Sequence, residues 1–265
     1  MPDTFKRQDM ISTPSLPPLD PTLYHAHHLL RADDLPFWQT LAGEYGDPIL
    51  ELGCGTGRIL LPLAGMGYRV TGLDTDPDML TFLRAAFPAE GLPNLPLHKA
   101  DMRTFALQER FALALLPCNT YSTFPAHERE QIAQTVRRHL QPGGIFAFSI
   151  PNPHLLASLE PVGEDDLEET FLHPLTHYPI EVYSQWERTA EHLTFTWRYD
   201  HRYPDENVIS QFARTRHHLD SPEMILEELQ HAGLTPTALY GDYTRTPFDP
   251  EDSTYLIVLS ENPAV

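Results

Sequence analysis

A glycine-rich loop, ELGCGTGR at positions 51–58, lies between two short apolar runs at 48–50 and 59–61. A strand that ends in such a loop and turns directly into a helix brings bare backbone and a helix N-terminus to the carboxyl edge of a parallel sheet, where open α/β folds bind ligands. Arg58 stands where the dinucleotide-binding spacing G-x-G-x-x-G requires its third glycine. The loop therefore predicts where a ligand approaches and leaves its identity open.

Polar residues that could hold such a ligand follow two later predicted strands. Gly72-Leu73-Asp74 ends the second strand, where a carboxylate can accept hydrogen bonds from both hydroxyls of a ribose. Asp76 stands before Pro77 and is the better candidate for a helix N-cap, which leaves Asp74 free for a ligand. Ala100-Asp101-Met102 follows the third strand, and the turn LQPGG at 140–144 leads into the fifth.

These four stretches, in this order, resemble the motifs of class I S-adenosylmethionine-dependent methyltransferases that act on small molecules, similar to the glycine and amino-sugar N-methyltransferases. The resemblance covers about residues 24–150 and 221–260. It implies S-adenosylmethionine as cofactor, S-adenosylhomocysteine as product, and methyl transfer to a small-molecule acceptor by in-line displacement at the sulfonium. The implied fold is α/β: a Rossmann-like, doubly wound, mostly parallel seven-stranded sheet with an antiparallel β insertion after the fifth strand.

The resemblance also implies roles for individual residues. Gly53 and Gly55 let the backbone approach the methionine portion and the ribose. Glu51 orients the loop or reaches the methionine amine. Asp74 binds the ribose, whereas Asp101 and Met102 bind the adenine. The complete set of expected cofactor-binding residues is Tyr24, Arg31, Glu51, Gly53, Cys54, Gly55, Gly57, Asp74, Thr75, Met79, Asp101, Met102 and Leu116. Thr75 and Met79 are equally well explained as ordinary helix-start and core residues.

The segment YHAHHLLR at 24–31 precedes the first predicted helix, as does the lid of the family. By resemblance, Tyr24 forms a wall of the cofactor site and Arg31 pairs with the cofactor carboxylate, for which a guanidinium is well suited. Arg31 is equally well explained as a surface residue. The histidines at 25, 27 and 28 lack companion carboxylates and match no strong ligand pattern, so no metal is expected.

Methyl transfer from a sulfonium depends on positioning and the exclusion of water, so no catalytic side chain is required. The candidate catalytic residues are Tyr24, Asn119, His201 and Tyr203. Cys118 has no partnering base and is expected to be a small packing residue. The aromatic row at positions 197, 199, 201 and 203 either lines the acceptor pocket, packs the insertion or forms a homodimer interface. Arg214, Arg216 and His217 bind an acidic acceptor or belong to an edge strand.

The elements that position these residues alternate between strands and helices up to about residue 150. Such alternation predicts crossover connections and a parallel sheet covered on both faces. Strict period-2 alternation at 193–203 then predicts an antiparallel strand, with partners at 180–188 and 208–217. The acidic run at 164–169 is expected to be a solvated loop. The expected core strands are 48–52, 68–73, 95–99, 111–116, 144–150, 234–240 and 254–260, and the expected helices are 33–45, 57–66, 77–87, 126–140 and 222–232.

The sequence divides into a flexible leader at 1–20, a cofactor-binding core at 21–155, an insertion or substrate cap at 156–220, and a return to the core sheet at 221–265. With 18 Lys and Arg against 37 Asp and Glu, the chain carries a formal net charge of −19, which argues against nucleic acid or an anionic membrane as partner. Two cysteines and no apolar targeting segment favour the cytoplasm.

Two other functions fit parts of this pattern. A nicotinamide-dependent oxidoreductase uses a similar strand, glycine loop and acidic residue, although the glycine spacing and the pair Asp101-Met102 argue against it. A non-catalytic protein that binds the cofactor or serves as a scaffold could retain the same fold.

Overall fold

A seven-stranded sheet forms the centre of the computed structural model, which describes residues 19–88, 91–92 and 94–264. Its strand order is β10-β11-β5-β4-β1-β2-β3. The first five strands along the chain pair in parallel, whereas β11 pairs antiparallel with both β5 and β10. The mostly parallel seven-stranded sheet expected from the sequence is therefore confirmed. The core strands are β1 (Ile49–Leu52), β2 (Val70–Asp74), β3 (Leu97–Lys99), β4 (Phe111–Leu116), β5 (Leu140–Pro151), β10 (Thr235–Tyr240) and β11 (Tyr255–Glu261).

Seven α-helices are present in the described ranges, and two buried clusters cover the two faces of the sheet. Along β4, Leu113 and Leu115 belong to one cluster, whereas Ala114 and Leu116 belong to the other. A strand buried on both faces in this way is typical of a parallel sheet between helical layers. The helices are α1 (Pro21–Leu29), α2 (Leu35–Tyr45), α3 (Leu60–Gly65), α4 (Pro77–Ala86), α5 (Ala126–His139), α6 (Pro153–Ser158) and α7 (Pro222–His231).

The antiparallel insertion is a separate four-stranded sheet in the order β6-β7-β8-β9. The expectation of a loop at 164–169 is wrong for positions 166–169, because Asp166 begins a strand that pairs with β7. Most side chains of this edge strand are exposed, so its composition resembles that of a loop although its backbone is paired. The strands are β6 (Asp166–Leu172), β7 (Pro179–Arg188), β8 (His192–Arg202) and β9 (Val208–His218).

Helix α1 occupies most of the segment at 24–31 that was expected to precede the first helix. Asp20 caps it by accepting hydrogen bonds from the backbone N–H groups of Thr22 and Leu23, and Pro21 is its first residue. Leu19 and Leu23 pack with Ile180, Val182 and Tyr199 of the insertion sheet. The helix therefore joins the insertion to the edge of the core. The expected flexible leader falls mostly outside the described residues, apart from Leu19 and Asp20.

Candidate functional site

The glycine loop begins where β1 ends, at the carboxyl edge of the sheet. Gly53 and Gly55 adopt φ angles of +64° and +49°, in the left-handed region that favours glycine. A methyl group added at Gly53 would lie 3.6 Å from Met102 Cε and 4.0 Å from Leu116 Cδ1, so these two apolar side chains border the loop. The backbone N–H of Gly55 donates to Asp74 Oδ2 at 2.7 Å. The end of β2 thus fixes the loop of β1.

Gly57 has a different environment from the other two glycines of the loop. Its φ is +86°, and an added Cβ would lie 2.4 Å from Leu83 Cδ1. The packing of the loop against α4 therefore explains Gly57, and its expected cofactor contact has no support in this geometry. The positive φ also delays the following helix, which begins at Leu60 and not at residue 57 as expected.

Cys54 lines the pocket and is buried among the residues of a hydrophobic core cluster. A Cβ added at Gly72 would lie 2.8 Å from Cys54 Sγ, so glycine at position 72 makes room for this sulfur. Asp74, at the end of the same strand, accepts one further hydrogen bond, from the N–H of Asp76 at 2.9 Å. The expected capping role of Asp76 is confirmed, since its side chain accepts from Asp78 and Met79.

Glu51 is the most unusual acidic residue of the site. It is only 2% exposed, it lines the pocket, and its Oε2 atom is buried without a hydrogen-bond partner. Burial raises the pKa of Glu51 to about 8, and the nearby charge of Asp74 adds to that shift. Oε2 can therefore accept a hydrogen bond from a ligand donor or bind a cationic group.

Arg58 and Asp34 form a nearly buried ion pair beside Glu51. The guanidinium donates from Nη1 to Asp34 Oδ1 and from Nη2 to Asp34 Oδ2 at 2.8 Å, and Nη2 also lies 2.9 Å from Cys118 Sγ. Trp38 Nε1 donates to Asp34 Oδ2 at 2.8 Å, which fixes the carboxylate. No role is expected for this pair from the sequence, because two opposite charges on distant segments carry no local pattern.

Helix α1 forms the wall of the pocket opposite the loop. Tyr24 and His28 both line the pocket, and their rings stack with centroids 3.8 Å apart. Tyr24 Cε1 lies 3.8 Å from the position of a Cβ on Gly55, so the ring lies over the loop. His25 Nδ1 lies 2.9 Å from Thr56 Oγ1 and ties the helix to the loop. Tyr24 therefore lines the pocket, and its expected contact with the cofactor stays a prediction.

The segment after β4 completes the pocket with Cys118 and Thr120. Cys118 and Asn119 both have φ of 60°, an uncommon conformation for two successive non-glycine residues, and buried Asn119 Oδ1 has no partner. Ser122 holds this turn, since its hydroxyl donates to the carbonyl oxygen of Asn119 at 2.9 Å and contacts His217 Nδ1 at 2.8 Å. Strand β9 thereby supports the turn, and His217 is a buried contact rather than an exposed edge residue.

The expected adenine-binding residues lie next to the loop. Met102 is 7% exposed, and the carboxylate of Asp101 is half-buried. Arg103 donates to both carboxylate oxygens of Asp101, which lowers the pKa of that carboxyl group. Any adenine amine must therefore share Asp101 with Arg103. Thr75 is exposed and Met79 is half-buried, and their expected adenine contacts stay predictions.

Three predicted residues lie away from the pocket. Arg31 is 52% exposed and donates to Glu168 Oε2 on β6 at 2.8 Å, so it contacts the insertion sheet. His201 packs against His173, and Tyr203 packs against Tyr178. Neither aromatic residue lines the pocket. Strand β8 approaches α1 through Tyr199, and His201 and the residue after the strand, Tyr203, lie beyond this contact.

The cavity enclosed by these elements has a volume of ≈40 Å³. Small-molecule sites usually enclose roughly 300–1,000 Å³. A cavity of this volume accommodates only part of such a ligand. Among the described residues, no group of three or more His, Cys, Asp or Glu side chains is arranged to hold a metal ion. None of the helices in the described ranges has the length and apolar character needed to cross a membrane.

Comparison with known proteins places the glycine loop within a known domain. Residues 49–144 match a family model described as a methyltransferase domain. The putative methyltransferase YqeM of Bacillus subtilis is 27% identical over 169 residues, which are 56% of this chain and 67% of that protein. The cypemycin N-terminal methyltransferase of a Streptomyces species is 26% identical over 81% of this chain and 83% of its own length. The dTDP-4-amino-2,3,4,6-tetradeoxy-D-glucose N,N-dimethyltransferase of Saccharopolyspora spinosa is 26% identical over 54% of this chain and 57% of that enzyme.

Solved structures share nearly the whole fold. An S-adenosylmethionine-dependent methyltransferase from Clostridium acetobutylicum superimposes with a TM-score of 0.77 and 18% identity, covering 91% of this chain and 99% of its own. The CcbJ methyltransferase of Streptomyces caelestis reaches a TM-score of 0.71 at 25% identity, covering 88% and 96%. The chain therefore contains a methyltransferase domain and has the fold of the S-adenosylmethionine-dependent methyltransferases. The resemblance found in the sequence is thereby confirmed.

The pocket of this methyltransferase fits S-adenosylmethionine, the cofactor of its class. The unpartnered Oε2 of Glu51 complements an ammonium group. Gly53 and Gly55 present backbone without side chains, and the half-buried carboxylate of Asp74 lies where a ribose can follow. Met102 supplies an apolar surface for a purine ring. Since these features follow one another along the sheet edge, they match the order amino acid, ribose and base.

Proposed function

We propose that the chain transfers a methyl group from S-adenosylmethionine to an amine nitrogen of a small-molecule acceptor. The observation that carries this proposal is the enclosure of the pocket by α1, which the insertion sheet holds through Tyr199 and the apolar cluster around Leu23. A covered pocket suits a small acceptor better than a folded nucleic acid, and the net charge of −19 disfavours phosphate-rich partners. Two relatives support nitrogen as the acceptor atom, since one is named an N,N-dimethyltransferase and the other an N-terminal methyltransferase.

The proposed cofactor contacts follow the order of the site. Glu51 binds the amino group, and the backbone at Gly53 and Gly55 lies beside the methionine portion and the ribose. Asp74 accepts from the ribose hydroxyls while keeping its hydrogen bond to Gly55. Asp101 and Met102 contact the adenine.

When bound, S-adenosylmethionine would supply an electrophilic methyl group: the acceptor lone pair would bond to the methyl carbon as the carbon–sulfur bond breaks. Sulfur would keep the electron pair of that bond, and the methylated amine would release a proton to solvent. The protein must align the acceptor and exclude water, effects that together can supply roughly 7–11 kcal/mol of the barrier. Tyr24 covers the glycine loop, and the turn at Cys118 and Thr120 closes the opposite side. The acceptor amine attacks as the neutral base, because only the neutral form carries a lone pair.

His28 provides a hydrogen-bond acceptor in this pocket. Its Nδ1 lies 2.9 Å from the carbonyl oxygen of Tyr24 and donates to it, and burial lowers the pKa of His28 to about 4. The ring is therefore neutral near pH 7, and Nε2 carries a lone pair. Such a group orients an N–H bond of the acceptor without becoming charged.

Calorimetric titration with S-adenosylhomocysteine, beside NAD, tests the cofactor assignment. Asp74→Ala is expected to weaken S-adenosylhomocysteine binding at least tenfold. The matched control Asp76→Ala removes a carboxylate that caps α4 and should lower stability while leaving affinity within about twofold. Binding of NAD in place of S-adenosylhomocysteine would instead identify a nicotinamide-dependent oxidoreductase.

Labelled S-adenosylmethionine and a panel of acceptors then test the acceptor class. The panel contains amino sugars, free amino acids, N-terminal peptide amines, phenols and total RNA. Transfer to a small amine at a rate well above that for the other classes supports the proposal. Transfer mainly to RNA or to a hydroxyl acceptor would refute the acceptor assignment, and binding without transfer to any acceptor would favour a non-catalytic protein.

A further inference from the structure

The pocket is lined by charged side chains of both signs. Among the described residues that line it, Arg58 is the one Lys or Arg side chain, and Glu51 is the one acidic side chain. Both are largely buried, with Glu51 2% exposed and the Arg58 side chain 9% exposed. A ligand that carries an ammonium and a carboxylate on the same carbon complements this pair.

We infer that Arg58, held in place by Asp34, binds the carboxylate of the cofactor's amino-acid end while Glu51 binds its ammonium group. This inference rests on the proposed function of the same pocket. It replaces the expected role of Arg31, whose side chain is half exposed and paired with Glu168 on the insertion sheet.

The guanidinium keeps donor capacity for a ligand after it pairs with Asp34. Nη1 and Nη2 each donate to one oxygen of Asp34, and the remaining N–H of Nη2 faces Cys118 Sγ at 2.9 Å. A neutral thiol is a weak hydrogen-bond acceptor, whereas a carboxylate accepts strongly from a guanidinium. Because Cys118 is exposed at the pocket, a ligand carboxylate can take its place beside Arg58.

Asp34 acts as a positioning residue for Arg58. Its side chain is 7% exposed, and it accepts from Trp38 Nε1 in addition to both guanidinium nitrogens. A buried Arg without a partner would be strongly destabilising, so the pair is retained as a unit. Helix α2 thereby fixes the direction from which the guanidinium faces the pocket.

Two ligands that differ in their amino-acid end separate this role from a general effect on the site. S-adenosylhomocysteine carries the carboxylate, whereas 5′-methylthioadenosine has the same nucleoside thioether without the amino acid. By calorimetry, the affinity of Arg58→Gln for S-adenosylhomocysteine is expected to be at least tenfold weaker than that of the unaltered protein. Its affinity for 5′-methylthioadenosine should stay within about twofold. The matched control Arg31→Gln should bind both ligands normally.

A loss of affinity for S-adenosylhomocysteine in Arg31→Gln but not in Arg58→Gln would overturn the inference, as would equal losses for both ligands in a folded Arg58→Gln protein. If Arg58→Gln does not fold, the unaltered protein still gives the answer with S-adenosyl-3-thiopropylamine, the decarboxylated analogue. Binding at least tenfold weaker than that of S-adenosylhomocysteine supports a carboxylate contact, and equal binding refutes it. Failure of the unaltered protein to bind any of these ligands counts against the proposed function.

Discussion

His27 Nδ1 lies 2.9 Å from the hydroxyl oxygen of Tyr199, so one hydrogen bond joins α1 to strand β8 of the insertion. His27 is 4% exposed and Tyr199 is 2% exposed, and the ring of His27 also stacks on Phe171 of β6. Burial lowers the pKa of His27 to about 4, so the ring is neutral near pH 7. The helix that covers the glycine loop therefore contacts the insertion sheet through His27 and the loop itself through His25 and Thr56.

Removal of the Tyr199 hydroxyl should release α1. A buried neutral hydrogen bond contributes about 1 kcal/mol, equivalent to roughly a fivefold change in an equilibrium. Since α1 covers the glycine loop through Tyr24, Tyr199→Phe is expected to raise the dissociation rate of S-adenosylhomocysteine several-fold. Stopped-flow displacement measures this rate.

Tyr203→Phe is the control for Tyr199→Phe. Tyr203 directly follows strand β8 and packs against Tyr178, away from the pocket. It should leave the dissociation rate unchanged. Tyr199→Phe could instead lower the free energy of unfolding while the ligand dissociates at the rate of the unaltered protein. The hydrogen bond would then stabilise the fold without holding α1 over the pocket.

The proton on Glu51 should leave when the cofactor binds. Its folded-state pKa of about 8 keeps most of the side chain protonated at pH 7, and an ammonium group beside it favours the carboxylate. S-adenosylhomocysteine binding is therefore expected to release protons at pH 7 and to tighten as the pH rises from about 6 to about 8. Calorimetry in buffers of different ionisation enthalpy counts the released protons, and Glu51→Gln should release fewer. Equal proton release by both proteins would show that another group titrates.

The same raised pKa predicts how Glu51 affects stability. Below its ordinary value of 4.5 the side chain is protonated in both the folded and the unfolded chain, and as the pH rises towards 8 only the folded chain keeps the proton. The contribution of Glu51 to stability is thus present at low pH and lost as the pH rises through this window. Glu51→Gln should therefore gain stability relative to the unaltered protein between pH 5 and pH 8, by about 1 kcal/mol or more. Urea denaturation at both pH values measures this difference.

Local patterns in the sequence predict much of the fold and part of the site. The cap at Asp76 and the alternation of β8 depend on neighbouring residues, so the sequence alone identifies them. The pair formed by Arg58 and Asp34 depends on how two distant segments of the chain meet, and no local pattern reports that. Alternation likewise places Tyr199 and His201 on one face of β8 but does not reveal which of them faces α1.

Gly55 and Gly57 also show what a local pattern cannot predict. They stand at alternate positions of one loop, yet their surroundings in the structure differ. Both have positive φ, so alanine strains the backbone at either position. An added Cβ at Gly57 also collides with Leu83 at 2.4 Å, whereas at Gly55 it has ordinary contact with Tyr24 at 3.8 Å. The free energy of unfolding of Gly57→Ala should therefore be about 1–3 kcal/mol lower than that of Gly55→Ala.

Ligand binding should separate the two variants in the opposite direction. Gly55→Ala places a methyl group between Tyr24 and the loop, in the space that the proposed cofactor needs, and should weaken S-adenosylhomocysteine at least tenfold. Gly57→Ala directs its methyl group into the contact with α4, so its folded fraction should bind within about threefold of the unaltered protein. Denaturant titration and calorimetry on the same two preparations test both expectations. A Gly57→Ala protein that is as stable as Gly55→Ala but does not bind would return Gly57 to the cofactor site.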